Sequence, residues 1–129
     1  LSMLDDIELH DLARCRRDNY NNLVTRLQAH PEISVVFPNA SDDEVPFLLP
    51  VYISEGRSDF QRYMAQHNVY PTIIWKCPEE LYRELSPAVR RIYDSILCFH
   101  VDQRYDKDDM NKVADIIDSY FLTINDNDQ

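Results

Sequence analysis

The chain has 129 residues, 44% of them hydrophobic, which is enough for one domain over residues 1–129 with its own buried core. Its formal net charge is −10, and no segment concentrates Lys and Arg without acidic neighbours. We therefore expect no nucleic-acid partner and no membrane partner, because both present negative charge to a protein. The single glycine, Gly56, excludes the Gly-rich phosphate loops and the nucleophile elbow of hydrolases.

The thiols and the apolar runs indicate the compartment. Cys15, Cys77 and Cys98 are far apart and form no Cys-x-x-Cys pair, so they predict reduced thiols rather than a disulfide or a zinc site. No run approaches the roughly 18 apolar residues of a membrane span. Leu1–Asp6 lacks the basic residues that begin a signal peptide. We predict a cytoplasmic protein.

The first predicted element is a long amphipathic helix from Leu4 to about Ala29, because its apolar residues recur every three or four positions. A proline follows it, and the β-branched run Ile33–Phe37 predicts a short strand. The polar segment Asn39–Glu44 predicts a loop, after which Phe47–Ile53 predicts a second strand.

The middle of the chain alternates short helices and strands. Ser58, with a glutamine three residues later, has the pattern of a capping box and predicts a helix that ends near His67. Tyr70–Trp75 predicts a third strand, and residues 78–95 predict two short helices that each start at a proline. Ser95–Val101 is nearly all apolar and predicts a fourth strand, which we expect to be central in the sheet.

The last predicted helix has Asp106 or a neighbour as its N-cap and runs to Phe121, followed by a frayed tail over Asn125–Asp128. The order of these elements predicts an α+β fold. We expect a mostly antiparallel sheet of about four strands, with helices packed on one face and with long N-terminal and C-terminal helices.

One group of side chains near residue 100 has the composition of a catalytic site. Cys98, His100 and Asp102 alternate along one predicted strand and supply a nucleophile, a base and an acid. Consecutive members are about 6.7 Å apart and point in parallel, whereas a triad needs side chains that converge from different elements. We therefore expect a buried cysteine beside a partly exposed histidine, and no catalytic residue.

The acidic residues between Asp102 and Asp109 are spaced like the ligands of a calcium loop. That loop needs a glycine at its turn and a glutamate at its end, and this segment has neither. Acidic residues in the first turn of a helix bind free amide groups and oppose the helix dipole, which suits Asp106 and Asp109. We expect no metal site.

Two further features have both a functional and a structural explanation. Arg14, Arg16 and Arg17 form a basic patch on the first helix, where a guanidinium could meet a carboxylate or a phosphate. A solvated helix face paired with nearby aspartates explains this patch more simply. Trp75 ends the third predicted strand, a position that suits either the lining of a cleft or packing under the next helix.

Three segments occur in a set order along the chain. The first is Arg16–Tyr20 on the first helix, and the second is the predicted strand ending in Trp75, with Pro78 after it. The third is Asp102-Gln103-Arg104-Tyr105, followed by Asp109 and Met110. In this order and spacing they resemble the small C-terminal domain of the DegT-type aminotransferases, the sugar aminotransferase branch of the pyridoxal-phosphate enzymes of fold type I. The resemblance covers about Asp11 to Tyr120, and the Asp-Gln-Arg-Tyr element is its most specific part. Ile74 stands where many family members have a histidine, and His100 stands where a proline is common.

The resemblance implies a parent enzyme that transfers an amino group to a nucleotide-linked keto sugar for polysaccharide or related synthesis. A large domain of the same polypeptide would bind the pyridoxal phosphate, so we expect no cofactor in this chain and no activity of this chain alone. The expected partner is that large domain, with a homodimer as a further assembly. The residues expected near the parent's cleft are Arg57, Trp75, Asp102, Arg104 and Tyr105.

Two other functions stay open. The chain could be a stand-alone binding or interaction module that kept the fold without catalysis, and an open reading frame starting near its first methionine would favour this. It could also be a small hydrolase that uses Cys98 and His100, although their parallel geometry argues against it. Lys76, Lys107 and Lys112 are the only lysines, and none lies in a context that resembles the cofactor lysine of the family.

Overall fold

A computed structural model describes residues 6–38, 48–74, 77–102 and 104–127. Its helices and strands, in chain order, are α1 (Asp6–Leu27), β1 (Ile33–Val35), β2 (Leu48–Ile53), α2 (Arg57–Gln66), α3 (Glu79–Tyr82), α4 (Pro87–Ser95), β3 (Ile96–His100) and α5 (Lys107–Asn127). The predicted α+β fold is confirmed, including the long first and last helices and the two short helices before β3. The predicted loop Asn39–Glu44 lies outside the described residues, as do Phe47, Trp75 and Asp128.

The sheet is antiparallel, and its strands have the order β1-β2-β3. Ile33 lies opposite Ile53, and Leu49 lies opposite Phe99. β2 is therefore the middle strand, and the expectation that the apolar β3 would be central is wrong. Four of the five residues of β3 are nevertheless buried, which accounts for its apolar composition.

The predicted strand Tyr70–Trp75 is reduced to one bridge between Thr72 and Cys98. These two residues exchange main-chain hydrogen bonds of 2.9 and 3.0 Å. Pro71 fixes its own φ near about −65°, far from the value of about −140° that an antiparallel strand adopts. The Pro71 carbonyl also accepts a hydrogen bond from the Gln61 side chain at 3.3 Å, which ties this segment to α2. The described sheet therefore has three strands rather than about four.

The buried core lies between the sheet and helices α1, α2 and α5. Leu49, Val51 and Ile53 alternate with half-buried residues along β2 and belong to this core. The helices contribute buried residues at helical spacing, among them Leu23, Leu27, Phe60, Met64, Met110 and Ile117. Burial of each such side chain stabilises the fold by roughly 1.5–3 kcal/mol. None of the described helices is both long and apolar enough to cross a membrane.

The start of α2 differs from the prediction. The helix begins at Arg57, and Gly56 precedes it with a φ of 71°, a left-handed conformation that glycine adopts without strain. No side chain caps this helix, so the capping box expected at Ser58 is wrong. The glutamine of that pattern, Gln61, donates to Pro71 instead of to the start of its own helix.

The start of α5 agrees with the prediction. Asp106 Oδ1 accepts a hydrogen bond from the Asp109 main-chain N–H at 2.9 Å, and Asp109 Oδ2 accepts one from the Asp106 N–H at 3.0 Å. This reciprocal pair satisfies two amide groups at the helix start, and the main-chain bond from Asp109 lowers the pKa of Asp106. At its other end α5 continues to Asn127, so the frayed tail expected from Asn125 is wrong over the described residues.

Candidate functional site

The chain passes from β3 to α5 through a tight turn that we call the Asp102–Tyr105 turn; Gln103 lies outside the described residues. The Tyr105 main-chain N–H donates to the Asp102 carbonyl at 3.1 Å. The Asp102 carboxylate accepts the Arg104 main-chain N–H, also at 3.1 Å, a bond that aspartate often makes in turns. The first residue of the turn therefore closes it.

The Arg104 side chain folds back on the same carboxylate. Its Nε lies 2.9 Å from Asp102 Oδ1 and its Nη2 lies 2.8 Å from Oδ2, which makes a bidentate ion pair. The Asp102 side chain is only 14% exposed, whereas that of Arg104 is 63% exposed. The hydrogen bond from Arg104 lowers the pKa of Asp102, and the bond to the carboxylate raises the pKa of Arg104. The guanidinium also lies 5.3 Å from the centroid of the Tyr105 ring.

One buried polar residue of α1 holds this turn. Asn19 is 2% exposed, and its Nδ2 lies 2.8 Å from the carbonyl oxygen of Tyr105 and 3.2 Å from those of Val101 and Asp102. Buried polar groups need hydrogen-bond partners, and here the donor and its acceptors satisfy one another. Asn19 therefore fastens the turn to α1, although it precedes its partners by more than 80 residues in the sequence.

A cavity of about 300 Å³ opens beside the turn, and we call it the turn cavity. Phe99 and Met110, each 2% exposed, form its apolar floor. Tyr70 and Tyr105 place aromatic rings at its border. The segment Asn68–Thr72 lines it, and of that segment only Thr72 pairs with β3 in the described structure. The cavity therefore lies beside the segment that was expected to form the third strand, Tyr70–Trp75.

The polar side chains beside the turn cavity do not form the trio seen in the sequence. His100 Nε2 lies 3.1 Å from Thr72 Oγ1, and Asp102 pairs with Arg104. Cys98 is 1% exposed, and burial raises the pKa of its thiol, which disfavours the nucleophilic thiolate. Cys98 is thus a buried residue of β3, and no described contact joins it to His100.

Arg57, expected near a cleft, does not line the turn cavity. Its Nη1 donates to the carbonyl of Tyr93 at 2.6 Å and to that of Ile96 at 3.1 Å. These carbonyls belong to the last turn of α4 and the first residue of β3, and burial lowers the pKa of the guanidinium. In this structure Arg57 joins the start of α2 to the junction of α4 and β3.

Of the other expected cleft residues, Asp102, Arg104 and Tyr105 lie together in the turn, while Trp75 lies outside the described residues. The sequence analysis named Asn19 only as part of the segment Arg16–Tyr20 and did not predict that its side chain holds the Asp102–Tyr105 turn. A signal existed, because Asn19 is a polar residue four positions before Leu23 on the buried face of α1. For Tyr70 and Thr72 the sequence showed only a strand-like composition, and no signal indicated that they would line a cavity.

The remaining charged groups have ordinary structural surroundings. Arg14 borders a shallow polar hollow together with Asp11 and Asp18, which agrees with a solvated helix face. Asp106 and Asp109 serve as the cap of α5. Over residues 6–38, 48–74, 77–102 and 104–127, no three His, Cys, Asp or Glu side chains are grouped so as to hold a metal ion.

No family model matches the chain, and no curated protein matches it. Among solved structures, the sugar aminotransferase CalS13 from Micromonospora echinospora is similar, with a TM-score of 0.69 and 19% sequence identity. The match covers 88% of this chain and 32% of that one, so this chain spans about a third of its length. At this identity the likeness shows a shared fold, and that fold is one part of a sugar aminotransferase.

Proposed function

We propose that this chain is the small domain of a larger, pyridoxal-phosphate-dependent aminotransferase of the DegT type, and that the parent protein transfers an amino group to a nucleotide-linked keto sugar. The observation that carries the proposal is the fold shared with about a third of a sugar aminotransferase. The sequence resemblance leads to the same class of enzyme, the sugar aminotransferases. It is a separate line of support, because it rests on the residues of short segments and not on the shared fold of the main chain.

Contacts between the resembling segments support the proposal. Asn19 belongs to the segment Arg16–Tyr20, and its amide donates to carbonyls of the Asp102–Tyr105 turn. Two segments that resemble the same domain are therefore parts of one structural unit. Chance resemblance of two unrelated surface segments would not be expected to produce such a buried contact.

The described residues do not fit pyridoxal phosphate as a bound group. That cofactor needs a sheltered lysine and several donors around its phosphate. Lys107 and Lys112 are exposed on α5, and Lys76 lies outside the described residues. Under the proposal the cofactor belongs to the large domain of the same polypeptide, and this chain contributes no catalytic residue.

Under the same proposal, the small domain forms one wall of the substrate cleft. Arg104 offers an exposed guanidinium that Asp102 holds in place, and Tyr105 offers an aromatic ring beside it. These three residues are the proposed members of the wall. Arg57 and Trp75 stay predictions for the same wall.

The reading frame that encodes the chain is the first test. We expect it to continue upstream into a large domain that carries a buried cofactor lysine. A frame that starts near Met3 would contradict the proposal. It would favour the second candidate, a stand-alone binding module, for which the turn cavity supplies a binding site.

The protein encoded by the complete frame is the second test. With pyridoxal phosphate it should show the visible absorbance of a lysine-bound cofactor, and with an amino donor it should convert a nucleotide-linked keto sugar to the amino sugar, followed by mass spectrometry. The 129-residue chain alone should do neither. Stoichiometric attachment of the cofactor to Lys107 or Lys112 in that chain, mapped after borohydride reduction, would overturn the assignment. Absorbance without conversion of any keto sugar would reject the substrate class only.

A further inference from the structure

The turn cavity has the construction of a small-molecule site. Ligand pockets are mostly apolar, carry a few polar groups that fix orientation, and span about 300–1,000 Å³. This cavity, at about 300 Å³, lies at the small end of that range. Its floor of Phe99 and Met110 and its bordering rings of Tyr70 and Tyr105 suit a ligand with a small, flat, apolar body.

Arg104 supplies the charge at this cavity. A guanidinium offers a carboxylate one fork made by Nε and Nη2 and another made by Nη1 and Nη2. Asp102 occupies the first fork and is not a lining residue of the cavity. Nη1 makes no hydrogen bond to a described residue, so the second fork is left for a ligand. The ion pair with Asp102 also holds the guanidinium in place before a ligand binds, which reduces the entropy lost on binding.

His100 adds a main-chain donor at the same cavity. In an antiparallel strand, alternate residues direct their N–H and C=O groups to the same side. Cys98 directs both groups to Thr72, so His100, two residues later, directs its own groups to the edge that the cavity borders. The His100 N–H is therefore a second donor for an anionic group held by Arg104.

The charges of the lining residues select among ligand classes. No Asp or Glu is among the described lining residues, so the ammonium group of an amino acid would have no counter-charge. The described lining residues include one arginine and no lysine, so the two negative charges of a phosphate monoester would be met only in part. A single carboxylate on an apolar ring matches both the one cation and the apolar floor.

We propose that the turn cavity binds a small aromatic carboxylate that has no amino group, with its carboxylate on the free fork of Arg104 and its ring against Phe99, Met110 and the two tyrosines. The proposal goes beyond the amino-transfer function, because it concerns a cavity within this chain and does not depend on a large domain.

Ligand pairs that differ in one group test the proposal on the unaltered 129-residue chain. Benzoate should shift the amide resonances of Tyr70, His100 and Arg104 and saturate with a Kd of about 1 mM, a typical value for so small a ligand. Benzamide, which has the same shape without the charge, should bind about tenfold or more weakly. Phenylalanine should bind more weakly than 3-phenylpropanoate, which lacks only the amino group. Absence of saturable shifts at these residues, or equal affinity within either pair, would overturn the proposal.

Two arginine variants complete the test. Arg104→Gln removes the fork from an exposed side chain and should weaken benzoate binding about tenfold or more, and it should weaken benzamide binding much less, because an amide oxygen makes no charge-paired contact with the fork. Arg91→Gln removes an exposed arginine that borders a different hollow and should leave both affinities unchanged. Unaltered benzoate affinity in Arg104→Gln, or equal loss in the two variants, would show that the carboxylate does not bind Arg104. Either result leaves the reading-frame test of the amino-transfer function unaffected.

Discussion

Replacement of Asn19 should destabilise the protein and release the Asp102–Tyr105 turn from α1. In Asn19→Leu the side chain keeps a similar size and loses both amide hydrogens. The three carbonyl oxygens that now lie within 3.2 Å of Nδ2 would then face an apolar group. Water cannot easily take over the hydrogen bonds of the lost amide, because the site of the Asn19 side chain is only 2% exposed.

The magnitude follows from the number of acceptors that lose a donor. An amide group has two hydrogens, so it serves about two of the three acceptors well at one time. A buried acceptor without a partner costs about 1–3 kcal/mol. Val101 is fully buried, but Asp102 and Tyr105 are half-buried, so water can reach part of the turn. We expect a loss of about 2–3 kcal/mol in the free energy of unfolding, a large fraction of the roughly 5–15 kcal/mol of a typical domain.

Urea unfolding followed by circular dichroism measures this loss, and an unchanged m-value shows that the unfolded state is the same. Asn21→Leu, at an exposed position of the same helix, is the control and should change stability by no more than about 0.5 kcal/mol. In NMR spectra the amide resonances of Val101 and Tyr105 should move in Asn19→Leu and not in the control. Equal stability of the two variants, with the turn resonances unmoved, would refute the role assigned to Asn19.

Three further substitutions test other parts of the fold. Arg57→Met should lower the free energy of unfolding in urea by about 1–3 kcal/mol, because two main-chain carbonyls lose a charged donor. Gly56→Ala should cost about 1–2 kcal/mol in thermal unfolding, all of it from the left-handed backbone, since a Cβ there would meet only a tyrosine hydroxyl at 3.8 Å. Asp118→Asn should cost at most about 1 kcal/mol, because its ion pairs with Arg26 and His30 are partly exposed. Burial alone would raise the pKa of Asp118, but the hydrogen bonds from Arg26 and His30 lower it. The Asp118 contribution is therefore present above about pH 4 and lost as pH falls through the lowered pKa of Asp118, so the stability difference between wild type and variant should shrink steadily in acid below about pH 4.

Each of these substitutions has a matched comparison. Arg62→Met removes an exposed arginine of the same helix and should change stability by no more than about 0.5 kcal/mol; a loss equal to that of Arg57→Met would remove the role of Arg57 at the helix junction. Gly56→Asn should lose less than Gly56→Ala, because asparagine tolerates the left-handed region. Asp115→Asn, at a 70% exposed side chain, should cost less than Asp118→Asn at neutral pH. A stability difference between wild type and Asp118→Asn that persists in acid would contradict the pH argument.

Elements whose signal is local or strongly periodic were predictable from the sequence. α1 and the start of α5 were placed to within a few residues because each helix buries one apolar face, and the side chains that do so recur at helical spacing; α5 then continues past its expected end at Phe121 to Asn127. The N-cap of α5 was predictable because its two reciprocal hydrogen bonds join Asp106 and Asp109, which are only three residues apart. A capping pattern of this kind is predictable only when its side chains have no distant partner, because the similar pattern at Ser58 failed where Gln61 bonds to Pro71 instead.

Features that depend on distant partners were not predictable in this way. Tyr70–Trp75 has the composition of a strand, but pairing also needs a neighbour in register, and Pro71 with its bond to Gln61 keeps all but one of the described residues out of the sheet. β3 looked central because it is apolar, although burial by helices produces the same composition as a middle position in a sheet. The turn cavity forms because most of the segment Asn68–Thr72 does not pair with β3, so no local pattern of the sequence encodes it.

The Asp102–Tyr105 turn divides structural support from recognition among its residues. Asp102 closes the turn by accepting the main-chain N–H of residue 104, which any residue except proline would provide, and Asn19 fastens the turn to α1. The Arg104 side chain adds one ion pair whose arginine is 63% exposed, and a pair that solvent reaches from one side contributes only modestly to stability. The fold therefore requires Asp102 and Asn19 but does not require a guanidinium at position 104. A ligand carboxylate would require the guanidinium at position 104, because among the described lining residues only Arg104 brings a pair of N–H donors that Asp102 does not occupy to the turn cavity. Loss of benzoate binding in Arg104→Gln with an unchanged free energy of unfolding would separate the two roles, whereas a parallel loss of both would assign the arginine to the fold.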